Sequence, residues 1–292
     1  MRGMISTVFV LAACGQHAHP GSDPAPDAPD SSDAVDASSD ALPAKPATIL
    51  PGDPAAWTLT FEDTFEAGAI DPTKWHTTWR YDARSLPSNG EQECYQDDAF
   101  QFADHRLQIV ADHKTVACSK PAASYDYTSG ALASFDLFSQ QYGFFEMRAK
   151  VPAGQGMWPA FWLMPQAGEW PPEIDIVELV DVMTTSYHTL HYVSNGTHES
   201  DGAPYTMPAD GSLDFHTYAV KWAPGVIVWY VDSTEVRRVT HDVPAEPFYI
   251  LVNLAIGGGW PGNVDGTTVF PAYMHVDYVR AFQCSDWTRC GT

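Results

Sequence analysis

The sequence predicts an all-β fold, an antiparallel sandwich or barrel. Three observations lead there. Short apolar or alternating runs recur along the chain, parted by Gly, Pro and Asp. β-branched and aromatic residues crowd those runs. An apolar period of helical type is hard to find between them. In order, the runs are "WTLTF" (57–61), "RLQIVA" (106–111), "YGFFEMRAKV" (142–151), "HTYAVKW" (216–222), "VIVWYV" (226–231), "FYILVNLAI" (248–256) and "MHVDYVRAF" (274–282). Each is strand-length, and frequent turn signals between them fit stacked antiparallel sheets. No internal repeat is visible.

The N-terminal part reads differently. Residues 1–13 hold one positive charge (Arg2), a short apolar run and then small residues. That is a secretory signal, too short to remain as a membrane span. "LAAC" (11–14) resembles the lipobox of bacterial lipoproteins, which implies cleavage before Cys14 and lipidation of its sulfur; the plainer reading is an ordinary signal with a chance Cys. Residues 14–54 read as a linker rich in Pro, Ala, Ser and Asp. The stretch from Gly21 to Lys45 has no aromatic residue. Such a segment cannot bury enough apolar surface to offset chain entropy. It is an acidic, self-repelling tether.

The remaining ~235 residues suit one domain, placed at 55–284, with 285–292 as a tail. A formal net charge of −22 argues against nucleic acid, whose phosphates need a basic surface. Four cysteines follow Cys14: Cys94, Cys118, Cys284 and Cys290. An even number in an exported chain suggests two disulfides. Cys284 with Cys290 would close a small terminal loop and leave Cys94 with Cys118. The alternatives are buried thiols or zinc, but no Cys-x-x-Cys spacing supports zinc.

Several tryptophans sit among glycines and prolines. "GQGMWPAFWLMP" (154–165), "GEWPPEID" (168–175) and "GGGWPG" (257–262) carry Trp158, Trp162, Trp170 and Trp260. Sugars bind by stacking their C–H faces on such rings, with polar groups fixing the hydroxyls. Gly/Pro loops seldom form a core, so Trp158, Trp170 and Trp260 are read as groove residues. Trp162 is a candidate for the groove that reads as well as a core residue.

"PPEIDIVELVD" (171–181) holds the densest chemistry: Glu173, Asp175 and Glu178 in six residues, with Ile174, Ile176 and Val177 between them. In a strand, 173 and 175 share a face and 178 faces the other way. An acid pair on one face repels unless a proton, a cation or a function keeps it there. Clustered carboxylates could bind calcium or magnesium. They could equally serve glycoside hydrolysis, which needs a nucleophile and a proton donor roughly 5–5.5 Å apart in retaining enzymes. A one-residue β-bulge near Ile176–Val177 would repair the parity and return Glu178 to the face of Glu173.

"EIDIVE" resembles the E-x-D-x-x-E signature of glycoside hydrolase family 16, in its laminarinase-like branch. The resemblance continues through "WTLTFEDTFEAGAIDPTKW" (57–75), "NGEQECY" (89–95), "YTSGALASFDLFSQQYGFFEMRAKVPAGQGMWPAFWLMP" (127–165), "TLHY" (189–192), "FHTYAVKWAPGVIVWYVD" (215–232), "PFYILVNLAIGGGWPG" (247–262) and "MHVDYVRAF" (274–282). It implies a concanavalin-like jelly roll with a concave substrate groove. It implies Glu173 as nucleophile, Glu178 as general acid/base and Asp175 as their support, without a catalytic cofactor. Asn89 and Glu91 of the N-x-E segment, and His191 of "TLHY", become groove residues; His188 is the weaker histidine, three residues earlier on the opposite face. A structural calcium is common in the family, with a carboxylate from the "VDYV" strand, here Asp277. A strand-end salt bridge is the equal alternative for that residue.

The chain departs from the family at Val177 and Leu179, where Met and an aromatic are frequent, and at "DTF" (63–65). These changes bear on substrate choice and on the calcium site, and leave the acids intact. The leading expectation is an exported, monomeric endo-hydrolase of β-1,3-glucan, touching membrane only through Cys14. The same chemistry on mixed-linkage glucan or a galactan is the second reading, with Arg84 as a groove residue for a sulfated chain. A non-catalytic carbohydrate-binding protein is the third, and a calcium-dependent surface protein the fourth.

Overall fold

The structure, a computed structural model, describes residues 44–291. The expected signal, Cys14 and the expected linker up to residue 43 lie outside the described residues. The folded unit runs from Ala44 onwards.

Two antiparallel sheets carry the domain. The larger has eight strands, in the order Thr234–Val239, Val226–Val231, His216–Ala223, Gly143–Lys150, Ala272–Cys284, Arg106–Ala111 and Phe100–Ala103, with Trp57–Asp63 also pairing onto Ala272–Cys284. The smaller has six: Thr197–Thr206, Thr185–Ser194, Glu173–Leu179, Met157–Pro165, Phe248–Ile256 and Ala131–Ala133. Two small pairs stand apart, and one of them, Glu93–Tyr95 with Tyr127–Ser129, is parallel. Among the described residues the remaining regular structure is short 3-10 turns.

Alternation sets the core. Phe145, Met147 and Ala149 of Gly143–Lys150 point inward and meet Ile174, Ile250, Val252 and Leu254 from the six-stranded sheet. Each of these side chains larger than Ala149 gains roughly 1.5–3 kcal/mol on leaving water. "FYILVNLAI" does not alternate in polarity, and the packing explains why. Phe248, Ile250, Val252, Leu254 and Ile256 fill the main core. Tyr249 and Leu251, on the other face, pack with Trp79 and Tyr95 in a second cluster. Both faces of this strand are covered, so every position is buried.

The folded domain is wider than the expected 55–284. Residues 44–54 have the composition of linker, yet Lys45 Nζ donates to Asp277 Oδ1 at 2.9 Å and Thr48 Oγ1 to Glu146 Oε1 at 2.7 Å. Arg280 Nη1 donates to the Pro46 carbonyl at 2.6 Å. These are folded contacts of the eight-stranded sheet. The tail is docked as well: Trp287 packs edge-on against Trp57, and Lys221 Nζ donates to the Gly291 carbonyl. Both disulfides form with the expected pairing, Cys94–Cys118 and Cys284–Cys290.

Calcium at Asp277 does not fit. Its carboxylate is 1% exposed and is taken by three cations: Lys45 and Arg106 at 2.9 Å, Arg148 at 2.7 Å. Burial pushes this carboxyl up, but the hydrogen bonds from Lys45, Arg148 and Arg106 outweigh it and hold it below the usual range. A further cation would meet positive charge there and no free oxygen. The salt-bridge reading of Asp277 is the correct one.

Candidate active site

Glu173–Leu179 is broken where parity demanded it. Against Met157–Pro165, Phe161 opposes Val177 and Trp162 opposes Asp175, so Ile176 is skipped. Against Thr185–Ser194, Asp175 opposes Thr189 and Glu178 opposes Tyr187, leaving two residues to face His188 alone. That is a β-bulge at Ile176–Val177. Ile174, Ile176, Val177 and Leu179 all go to the core. Glu173, Asp175 and Glu178 all line one groove of about 1050 Å³.

Each outer acid has its own indole. Trp170 Nε1 donates to Glu173 Oε2 and Trp158 Nε1 to Glu178 Oε1, both at 2.9 Å. Asp175, between them, is 2% exposed and lies 3.1 Å from His191 Nε2; Glu173 Oε1 is 3.7 Å from the same nitrogen. His191 Nδ1 in turn meets His198 Nε2 at 2.9 Å.

Three carboxyls this close, one of them buried and two half-buried, cannot all stay charged without cost. Burial first, then Glu173's charge, pushes Glu178 up to about 8, against the Trp158 hydrogen bond that favours its ionised form. Burial raises Glu173 and Asp175 as well. His191 and the Trp170 N–H pull Glu173 back down. Asp175 works against them, by its charge and its hydrogen bond, and Glu173 stays well above the usual carboxylate range. Glu178 is protonated at neutral pH. Glu173, Asp175 and His191 could also grip a metal ion, since one ligand atom of each falls within 4.8 Å of the others.

The other expected groove residues are distributed as follows. Trp158, Trp162, Trp170, Trp260, His191, Asn89 and Glu91 all line the groove. Trp170 and Trp260 are 51% and 44% exposed, free for stacking. Trp260 stands edge-on to Trp158 and to Tyr187. Trp162 is a floor residue, its Nε1 donating to Asn253 Oδ1 at 2.9 Å and its ring against Trp79. Glu91 is buried and accepts from Asn89 Nδ2 and from the Leu86 amide, which fixes the Asn89 loop.

Arg84 is a correction. It pairs with Asp97 at 3.0 Å and donates to the Tyr95 carbonyl, outside the groove lining. Arg80 takes the groove position instead, held by the Gln166 carbonyl and lying over the rings of Phe135 and Tyr249. Tyr187, Asn253 and Tyr249 are further lining residues that sequence reasoning missed. Parity could have found Tyr187, which shares the face of Thr189 and His191. Asn253 is the one polar residue in an apolar strand, itself a signal.

The family model for "Glycosyl hydrolases family 16" matches residues 89–280. The chain belongs to glycosyl hydrolase family 16. Among its family relatives, an endo-1,3-1,4-beta-glycanase of Rhizobium meliloti (ExsH) is 36% identical over 261 residues, covering 80% of this chain and 54% of that protein. A glucan endo-1,3-beta-glucosidase A1 of Niallia circulans is 31% identical over 266 residues, covering 80% and 39%. The chain thus spans about half the length, or less, of these relatives. Its fold is that of the family 16 laminarinases. The catalytic domain of an endo-1,3-beta-glucanase (laminarinase) from Thermotoga petrophila superposes with a TM-score of 0.71 at 34% identity, over 79% of this chain and 99% of that one.

Proposed function

We propose that this family 16 chain is a retaining, endo-acting β-glucan hydrolase, with β-1,3-linked glucan as its main substrate. The observation that carries the proposal is the bulge, which brings two carboxyls with different hydrogen-bond partners to one groove face. Glu178, neutral near pH 7, gives its proton to the leaving glycosidic oxygen. Glu173 attacks the anomeric carbon as the C–O bond breaks, forming a glycosyl-enzyme. Glu178, now a carboxylate, takes a proton from water, whose oxygen displaces Glu173. Asp175 keeps a proton near Glu173 and tempers its charge. No step calls on a cofactor.

An endo mode is supported by groove size, since about 1050 Å³ exceeds the ~300–1,000 Å³ typical of small-molecule pockets. Exposed Trp170 and Trp260 supply stacking platforms. The glucan endo-1,3-beta-glucosidase relative supports glucan as the substrate; a keratan-sulfate endo-1,4-beta-galactosidase of Sphingobacterium multivorum, 33% identical, is the relative that supports the galactan alternative. The test is a panel of laminarin, mixed-linkage glucan and agarose, read by reducing ends, product size and the anomer first released. Laminarin oligosaccharides released as the β-anomer are expected. Inverted products, or no cleavage of any glucan, would overturn the reading.

We also infer export, action as a monomer, and anchoring through a lipid on Cys14. The disulfides fit an oxidising compartment. Among the described residues no helix is long and apolar enough to cross a membrane. Cys14→Ser should move the protein out of the membrane fraction or block its maturation; a soluble wild type would defeat the anchor. Gel filtration checks the monomer.

A further inference from the structure

The bulge creates a local backbone problem. Ile176 is skipped by the Met157–Pro165 strand and shares His188 with Val177 on the other side. Two carbonyls at the break receive side-chain donors. The Asp175 carbonyl accepts from Trp229 Nε1 at 2.8 Å, reaching through the core from the eight-stranded sheet. The Ile176 carbonyl meets His188 Nδ1 at 2.7 Å. Both donor side chains are fully buried.

The tautomer of His188 follows from its partners. A carbonyl only accepts, so Nδ1 carries the hydrogen. Nε2 is then the acceptor for the buried Ser186 hydroxyl at 2.9 Å. Burial drives the pKa of His188 to about 4, which keeps the neutral form this pattern needs. His188 is also the single residue that the two bulge residues face. It points into the core, whereas Tyr187 and Thr189 on either side line the groove.

We propose that His188 and Trp229 are positioning residues that clamp the bulge from two sides and so fix where the Glu178 carboxyl stands relative to Glu173. The proposal rests on the assignment of those two acids as acid/base and nucleophile. A bulge competes with nearby registers, and a slip of one residue turns every later side chain to the other face. Slippage here would bring Val177 toward the groove and Glu178 toward the core. Donors held rigidly by packing select one register, because only there do both carbonyls find them.

The test compares His188→Asn with His188→Gln, and adds Trp229→Phe. The Asn amide nitrogen can stand where Nδ1 stands; the Gln amide falls nearer Nε2 and misses the Ile176 carbonyl. On the best glucan, His188→Gln should lose kcat by roughly tenfold to a hundredfold, as a misplaced catalytic group does. KM should stay within about twofold, since substrate contacts remain. The high-pH limb of kcat/KM should move, because the coupling of Glu178 to Glu173 changes with their separation. His188→Asn should recover most of kcat, and Trp229→Phe should fall in the same direction as His188→Gln. Equal kcat and an unmoved limb in folded Asn and Gln variants would overturn the clamp. So would a loss that only tracks the fraction unfolded. Glu173→Gln runs alongside to separate the two hypotheses. If the wild type cleaves and Glu173→Gln does not, an unaffected His188→Gln sinks the clamp alone. If the wild type cleaves nothing, the functional assignment has failed. The clamp is then judged from a crystal structure of His188→Gln, where Glu178 still opposite Tyr187 would overturn it.

Discussion

Glu178 and Glu173 keep different company: Trp158 donates to the first, while Trp170, His191 and Asp175 stand at the second. Glu178 is pushed up to about 8 by burial and by Glu173, so kcat/KM should fall as pH rises through that value. Trp158 donates to the ionised form of Glu178. Trp158→Phe should therefore move the high-pH limb further up, and a pH profile of kcat/KM reads the sign directly. Glu173→Gln and Glu178→Gln should each lower turnover by about 10³-fold or more while the fold persists. The Glu178→Gln protein should also gain thermal stability over wild type with rising pH. A carboxyl whose folded pKa is raised stabilises fully below its unfolded value of ~4.3, and that contribution is lost as pH rises through about 8. Melting curves at pH 5 and pH 9 would show a larger gap at pH 9; equal gaps would mean that the burial of Glu178 carries no cost in stability. That these acids meet at one groove was legible in six letters of sequence because chemistry clusters. Arg80 was not, because an arginine declares no direction until a loop places it.

At the level of the strand, the odd spacing between Glu173 and Glu178 was itself the clue to irregular backbone. Deleting Val177 gives an even spacing that needs no bulge. The deletion should fold with Glu178 on the groove face and still lose activity. His188 and Trp229 would lose the break they serve, and the acid would stand at a new height along the strand. Circular dichroism and the reducing-end assay on the same sample check both halves. Parity also makes Tyr187 readable, once it is applied to "SYHTLHY" as it is to "EIDIVE". The fully buried Phe248–Ile256 strand is harder. Its two faces serve two different clusters, and a run of apolar letters does not say which residue looks into a groove.

Across the whole domain, the many short strands made the sandwich legible, but its edges were not. Composition marks where a chain stops being low in complexity, whereas folding begins where a single charge finds a partner. Lys45 lies in a Pro/Ala stretch and still completes the Asp277 cluster. Asp277→Asn would leave Lys45, Arg106 and Arg148 facing one another. The expected cost is about 3 kcal/mol, the low end for a broken buried pair because both arginines are partly exposed and screened. Denaturant unfolding measures it. Asp277 is held below its unfolded pKa, so its contribution is present above ~3.9 and is lost as pH falls through the lower folded value. Chelators should leave this part of the stability untouched. Removing Cys94–Cys118, which closes the longer loop, should cost about 3 kcal/mol against about 2 kcal/mol for Cys284–Cys290.

The two indoles that grip the acids carry one more consequence. Tryptophan emission responds to charge near the ring, and here Glu173 and Glu178 each have a private fluorophore on their own oxygen. Trp170 faces solvent and Trp158 is half-buried, so their emission should differ in colour. A difference spectrum between wild type and Trp170→Phe would then report the charge of Glu173, and one with Trp158→Phe the charge of Glu178. A signal change as glycosyl-enzyme accumulates would follow loss of negative charge at one acid and its appearance at the other, in real time and without a labelled sugar.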